Sequence, residues 1–152
     1  MSQSTSPSSV ASSHGTSGCV GLHHATLEYP LGESEQACTS YEQQARQFYG
    51  TLLHLEEIDI PSVFRAVNHD TDGIWFSFAD GGGYQQLHLG PVKNFQAKPR
   101  GHIAVQVHHL EEMLAVLRAS GVVIQEAIQE PGWLRCYIFD PFGNKLELRE
   151  QC

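Results

Sequence analysis

No apolar run in these 152 residues approaches the ~20 needed to cross a bilayer, which argues against a helical membrane span. Basic residues are scarce as well. Nine Lys and Arg stand against seventeen Asp and Glu, a formal charge of −8 at pH 7, and the nine form no block. A nucleic-acid surface needs a basic face, so that class of partner is not expected. An anionic substrate would be met by a local Arg, Lys or bound cation rather than by the field of the whole chain. Cys19, Cys38, Cys136 and Cys152 lie far apart with no Cys-x-x-Cys pair, which speaks against a zinc knuckle and a dithiol redox motif. Free thiols in a reducing compartment are the expected state. Residues 1–19 carry no Lys or Arg and no long apolar run, so neither a secretory signal nor a mitochondrial transit peptide is read here, and a cytoplasmic location is expected.

What is present begins with a Ser/Thr-rich, uncharged tail, 1–19, that cannot bury enough apolar surface to offset its ordering entropy and is expected to be disordered. Residues 20–152 then read as a single domain of two modules, 20–91 and 100–152. Leu22 to Tyr29 alternates as a strand and is closed by Pro30 and Gly32. Ser40 to Gln43 has the form of a capping box, and Tyr41, Ala45, Phe48, Tyr49 and Leu52 fall at helical spacing. Short strands follow at 55–60, 73–78 and 84–89, the last ended by Gly90-Pro91. The second module repeats the order: a strand at 101–107, a helix face of Leu110, Met113, Leu114 and Leu117 closed by Gly121, then strands at 122–127, 134–139 and 145–149. A helix crossover followed by a hairpin-rich run predicts an α+β fold, with the helices on one face of a mixed sheet.

The two modules align in register. His24-Ala-Thr-Leu-Glu matches His102-Ile-Ala-Val-Gln, and Gln86-Leu-His-Leu matches Lys145-Leu-Glu-Leu, while the extra length of the first module falls in the loops around 31–39 and 64–72. Strand parity then selects the candidate site. Ala25 and Leu27 face the helix, so His24, Thr26 and Glu28 face away, and Ile103, Val105 and Val107 put His102 on the same side in its module. Leu87 and Leu89 do this for His88, as Leu146 and Leu148 do for Glu147. Four side chains with metal-ligand chemistry, His24, His88, His102 and Glu147, thus hold equivalent positions on the first and last strands of two repeats, and they converge if the halves pair into one curved sheet. His23 is the alternative to His24 on the opposite parity. His108 and His109 sit where the second helix begins; His14, His54 and His69 fall in tail or loops.

These pieces resemble the vicinal oxygen chelate superfamily, which groups glyoxalase I, fosfomycin-resistance enzymes, methylmalonyl-CoA epimerase, extradiol dioxygenases and bleomycin-resistance proteins. The matching segments are Leu22-His-His-Ala, Ala45 to Gly50, Gln86-Leu-His-Leu, Gly101-His-Ile-Ala-Val and Asp140 to Leu148. The resemblance implies paired βαβββ modules forming a cupped sheet, with a divalent metal held by His24, His88, His102 and Glu147. Glyoxalase I usually places Glu where His88 stands. Extradiol dioxygenases hold iron at the positions of His24, His102 and Glu147 but usually carry a second pair of modules, and bleomycin-resistance proteins bind without a metal.

The expected function is that of a metal-dependent lyase or isomerase acting on a small carbonyl or thiol-conjugated substrate. Glu147 would be both ligand and base, with Glu28 as substitute base, and Lys98, Arg100, Arg135 and Lys145 as anion contacts. The ion could be Zn, Fe, Ni, Co or Mn. An Fe(II)-dependent dioxygenase and a non-catalytic binding protein are the alternatives, and a homodimer is expected.

Overall fold

The computed structural model describes residues 19, 21–68, 73–78 and 85–152. Nearly all of the expected disordered tail lies outside the described residues, as do His14, His69 and Tyr84. The first half runs β1 (His24–Pro30), α1 (Glu35–Ala45), a π-helical segment (Arg46–Leu52), β2 (Glu56–Ile58), α2 (Ser62–Asn68), β3 (Ile74–Ser77) and β4 (Gln86–Val92). The second runs β5 (His102–Gln106), α3 (Leu110–Ala119), β6 (Ile124–Glu126), β7 (Trp133–Phe139) and β8 (Lys145–Gln151). The strands form two four-stranded sheets, ordered β1-β4-β3-β2 and β5-β8-β7-β6. In each sheet the first and last strands run parallel and the remaining pairs antiparallel. The fold is α+β, built of two tandem modules on one plan.

The register makes the repeat a structural one. Thr26 lies opposite His88 and Ala104 opposite Glu147, while the third strand of each sheet sets Trp75 beside His88 and Tyr137 beside Glu147. Parity also follows the predicted alternation. His24, Thr26 and Glu28 are exposed while Ala25 and Leu27 pack on the core, and His102, Ala104 and Gln106 are exposed while Ile103 and Val105 pack inward.

Three local readings are corrected. The first helix starts at Ser34, whose Oγ accepts the Ala37 N–H at 3.2 Å, so Ser40 is mid-helix and no capping box opens there. Cys38 and Thr39 are weak helix formers that masked this turn; the Thr39 hydroxyl donates back to the Glu35 carbonyl at 3.0 Å. The stretch read as a loop from Phe64 begins inside α2. Finally, β4 continues through Gly90 and Pro91 to Val92. Because β3 pairs only as far as Leu89, β4 is open on that side beyond it, where a proline interrupts no ladder.

One apolar core joins the halves, drawing on Phe48, Tyr49, Phe76, Leu87 and Leu89 from the first and Leu117, Ile138, Leu146 and Leu148 from the second. Polar ties fix their relation. The Tyr49 hydroxyl donates to Asp140 Oδ2 at 2.7 Å, and the Asn144 side-chain amide donates to the Glu28 carbonyl at 2.7 Å. Asp140 Oδ1 accepts the Phe142 and Asn144 N–H groups, so this buried carboxylate organises the turn into β8. At the other end of β8, the Glu150 carboxylate accepts the His109 and Leu110 N–H groups at 2.7 and 3.0 Å, closing the N-terminus of α3.

Candidate metal centre

The four predicted donors stand in two pairs, one on each sheet. In the first module the rings of Trp75, His88 and His24 form a parallel stack. Centroids of Trp75 and His88 are 3.7 Å apart at 4°, and those of His88 and His24 are 4.3 Å apart at 14°. His88 is 9% exposed, and its Nε2–H donates to Gln86 Oε1 at 2.9 Å. Burial pushes the His88 imidazole down to about 4, with the neighbouring His24 and His23 adding to the effect, so the ring is neutral at pH 7. His23 and His24 meet through their Nδ1 atoms at 3.1 Å.

In the second module His102 Nε2 lies 3.2 Å from Glu147 Oε2. The other ring nitrogen, Nδ1, donates to the Arg100 carbonyl at 3.2 Å. A carbonyl only accepts, so the proton sits on Nδ1, and a lone pair on Nε2 would face a carboxylate oxygen unless a cation lies between them. A proton or a metal ion satisfies that geometry. Two donors at ~2.0–2.1 Å from one ion stand ~3.0–3.4 Å apart, and a ligating histidine commonly anchors its second nitrogen on a carbonyl, so the contact fits a metal.

Glu147 is 4% exposed and is charge-compensated by arginine. Arg135 Nε is 2.8 Å from Glu147 Oε1, although its N–H is not aligned for a hydrogen bond, and Arg149 Nε lies 3.6 Å from the same oxygen, beyond hydrogen-bond distance. Arg135 also donates to the Tyr137 hydroxyl at 2.8 Å and to the Ile128 carbonyl at 3.2 Å. The Lys145 ammonium sits 3.7 Å above the Tyr137 ring, and the Arg149 guanidinium 4.6 Å over Trp133. Of the predicted anion contacts, Arg135 reaches Glu147, while Lys145 rests on the ring of Tyr137, the cross-strand neighbour of Glu147.

A cavity of about 900 Å³ opens between the modules along β5 and the starts of β1 and β4, lined by both His24 and His102. Among the described residues, no three His, Cys, Asp or Glu side chains converge closely enough to hold one ion. The second pair therefore has the donor chemistry and spacing of half a site, and His24 faces the same cavity. Sequence reasoning missed Arg149, Tyr137, Trp75 and Gln86. Arg149 shares the face of Glu147 two residues on, and Gln86 that of His88 two residues before, which were usable signals; Tyr137 and Trp75 meet the site through cross-strand register.

The family model for the Glyoxalase/Bleomycin resistance protein/Dioxygenase superfamily matches residues 21–148, and the chain belongs to that superfamily. Among solved structures it is similar to a protein assigned to the glyoxalase family from Bacillus anthracis, with 29% identity over 90% of this chain and 99% of that one, at a TM-score of 0.73. It has the fold of the fosfomycin resistance protein FosX from Listeria monocytogenes, at 19% identity, TM-score 0.61 and coverage of 88% and 93%. A variant of that FosX, complexed with Mn(II) and 1S,2S-dihydroxypropylphosphonic acid, is similar at 19% identity, TM-score 0.65 and coverage of 88% and 94%. No match is found among curated protein sequences.

Proposed function

We propose that the protein is a divalent-metal-dependent lyase or isomerase of the glyoxalase type, moving a proton at the carbon beside a carbonyl in a small or thiol-conjugated substrate. The observation that carries this reading is the His102–Glu147 contact, where two lone-pair donors face one another at 3.2 Å with the tautomer set by the Arg100 carbonyl. His24, His88, His102 and Glu147 are the residues that would hold the ion. The ion is Zn, Fe, Ni, Co or Mn, and when bound it supplies polarisation of the substrate carbonyl. Glu147 takes the proton from the adjacent carbon at Oε2 and returns it to a neighbouring carbon or oxygen, so the product is an isomer and no atom is gained or lost. Glu28, exposed on the face of His24, is the substitute base. Arg135 and Lys145, with Lys98 and Arg100, meet an anionic group on the substrate. β1 and β5 are both sheet edges, each with one side unpaired by any strand among the described residues, which supports a homodimer. The setting is cytoplasmic, and no described helix is long and apolar enough to cross a membrane.

The test is deuterium exchange at the α-carbon of 2-oxo aldehyde hemithioacetals and acyl-CoA esters by the metal-loaded protein. Exchange should fall at least ~10²-fold in Glu147→Gln. Exchange that survives this change removes Glu147 from the role, and Fe(II)-dependent oxygen uptake without exchange moves the protein to the dioxygenase class. A second reading, a binding protein without turnover, is favoured by the separation of the donors into two pairs and by the hold of Arg135 on Glu147. Ligand binding indifferent to chelators would establish it.

A further inference from the structure

We infer that the cavity between the modules takes an uncharged planar aromatic ring, stacked on the open side of His24. This rests on the reading just given only in taking the cavity for the substrate's place, and it needs no ion. Trp75, His88 and His24 stand side by side on neighbouring strands, a stack that crosses the first sheet from β3 to β1. β1 is the edge of that sheet, so the stack ends at His24. One side of the His24 ring is covered by His88, yet the residue is exposed and lines the cavity. A flat ring one van der Waals step further on, ~3.5–4.0 Å, extends the stack into that space.

The walls select the class of ring. Among the described residues no Asp, Glu, Lys or Arg lines the cavity, in a chain that carries nine basic and seventeen acidic side chains. Leu22, Phe78, Ile103 and Val105 supply apolar surface, and Gln85, Gln86 and Gln106 supply amides. A charged group would lose hydration there with no opposite charge to compensate it, whereas a neutral ring sets its face on apolar walls and its polar edge on amides. The Gln86 side-chain oxygen accepts from His88 Nε2, which leaves the NH2 group of Gln86 to donate. The volume of about 900 Å³ falls within the ~300–1,000 Å³ of small-molecule sites and holds a bicyclic ring. Arg135 and Lys145 are not among the walls, so the cavity and these cations serve different parts of a ligand. Stacking engages the face of the imidazole and leaves its nitrogens, which lie in the ring plane, available.

The test is titration of the chelator-treated protein with 2-naphthamide, followed by proton NMR of the histidine rings. The His24 ring protons should move upfield under the ring current. Binding should be about 3–10-fold tighter than that of decahydronaphthalene-2-carboxamide, which has the same amide and no π face. 2-Naphthoate, flat but anionic, should bind at least about tenfold more weakly than 2-naphthamide. His24→Phe keeps a flat ring and should keep the preference for 2-naphthamide over its saturated counterpart, whereas His24→Ala should lose it. Equal affinity of the wild type for the two amides, tighter binding of 2-naphthoate, or a preference that survives in His24→Ala overturns the inference. So does loss of the preference in His24→Phe, or no binding of 2-naphthamide up to its solubility limit. These outcomes are read without an ion or a reaction, so absence of α-carbon exchange in the metal-loaded protein sinks the proposed reaction and leaves the stacking site standing.

Discussion

Tyr49 and Asp140, 91 positions apart in sequence, meet in a 2.7 Å hydrogen bond that ties the π-helical segment of the first module to the last turn of the second. Both side chains are buried, and burial pushes the ionisation of each upward. Tyr49→Phe leaves Asp140 short of one donor in an apolar setting. It should cost about 1–3 kcal/mol, read as a lower urea midpoint with an unchanged slope.

Stability should fall at alkaline pH for a related reason. Tyr29 is pushed up to about 12, chiefly by burial and then by the Glu42 carboxylate, and Tyr49 is raised well above the usual range. Unfolded tyrosines ionise near pH 10. Above that the unfolded chain binds fewer protons than the folded one, so stability contributed below pH ~10 is lost as pH rises through about 12, at about 1.4 kcal/mol per pH unit for each unmatched proton. Urea midpoints from pH 9 to 12 should decline, and less steeply in Tyr29→Phe.

Gly73 enters β3 with φ of +73°, and a Cβ there would lie 2.0 Å from the Leu89 carbonyl oxygen. Backbone cannot give way as a flexible side chain can. Gly73→Ala should therefore destabilise by about 2 kcal/mol or more, whereas Gly121→Ala, with open space around its Cβ, should cost only the positive-φ strain. Thermal unfolding of the two variants side by side checks this.

Arg135 is the nearest cation to a carboxylate that is almost fully buried. Arg135→Met should cost up to about 3 kcal/mol in the metal-free protein, because the buried charge keeps only the more distant Arg149, at 3.6 Å, as its arginine partner. Replacing Glu147 by Leu in the same chain removes that charge, so the double variant should lose less than the two single losses added together. Additive losses would mean that the contact carries no coupling.

Divalent ions should raise the unfolding temperature if His102 and Glu147 form part of a metal site. At a hundredfold excess over Kd the gain is about 2.7 kcal/mol, reversed by a chelator and absent in His102→Ala. A rise that survives in His102→Ala would place the ion elsewhere.

The sequence by itself determined the plan of the fold and the faces of its strands. Alternation of period two is local, so the exposed His24 and His102 and the inward Ala25, Leu27, Ile103 and Val105 were legible without coordinates, as was the duplication that pairs them. Tertiary structure decided which donors meet. The contact of His102 with Glu147 across 45 residues, the seating of Arg135 on that carboxylate, and the stacking of Trp75 on His88 follow from register between strands distant in sequence. It also set the donors in two pairs, because His24 and His88 share one sheet and His102 and Glu147 the other. Parity says which way a side chain points; how far it lies from another depends on how separate sheets pack, and no local period encodes that distance.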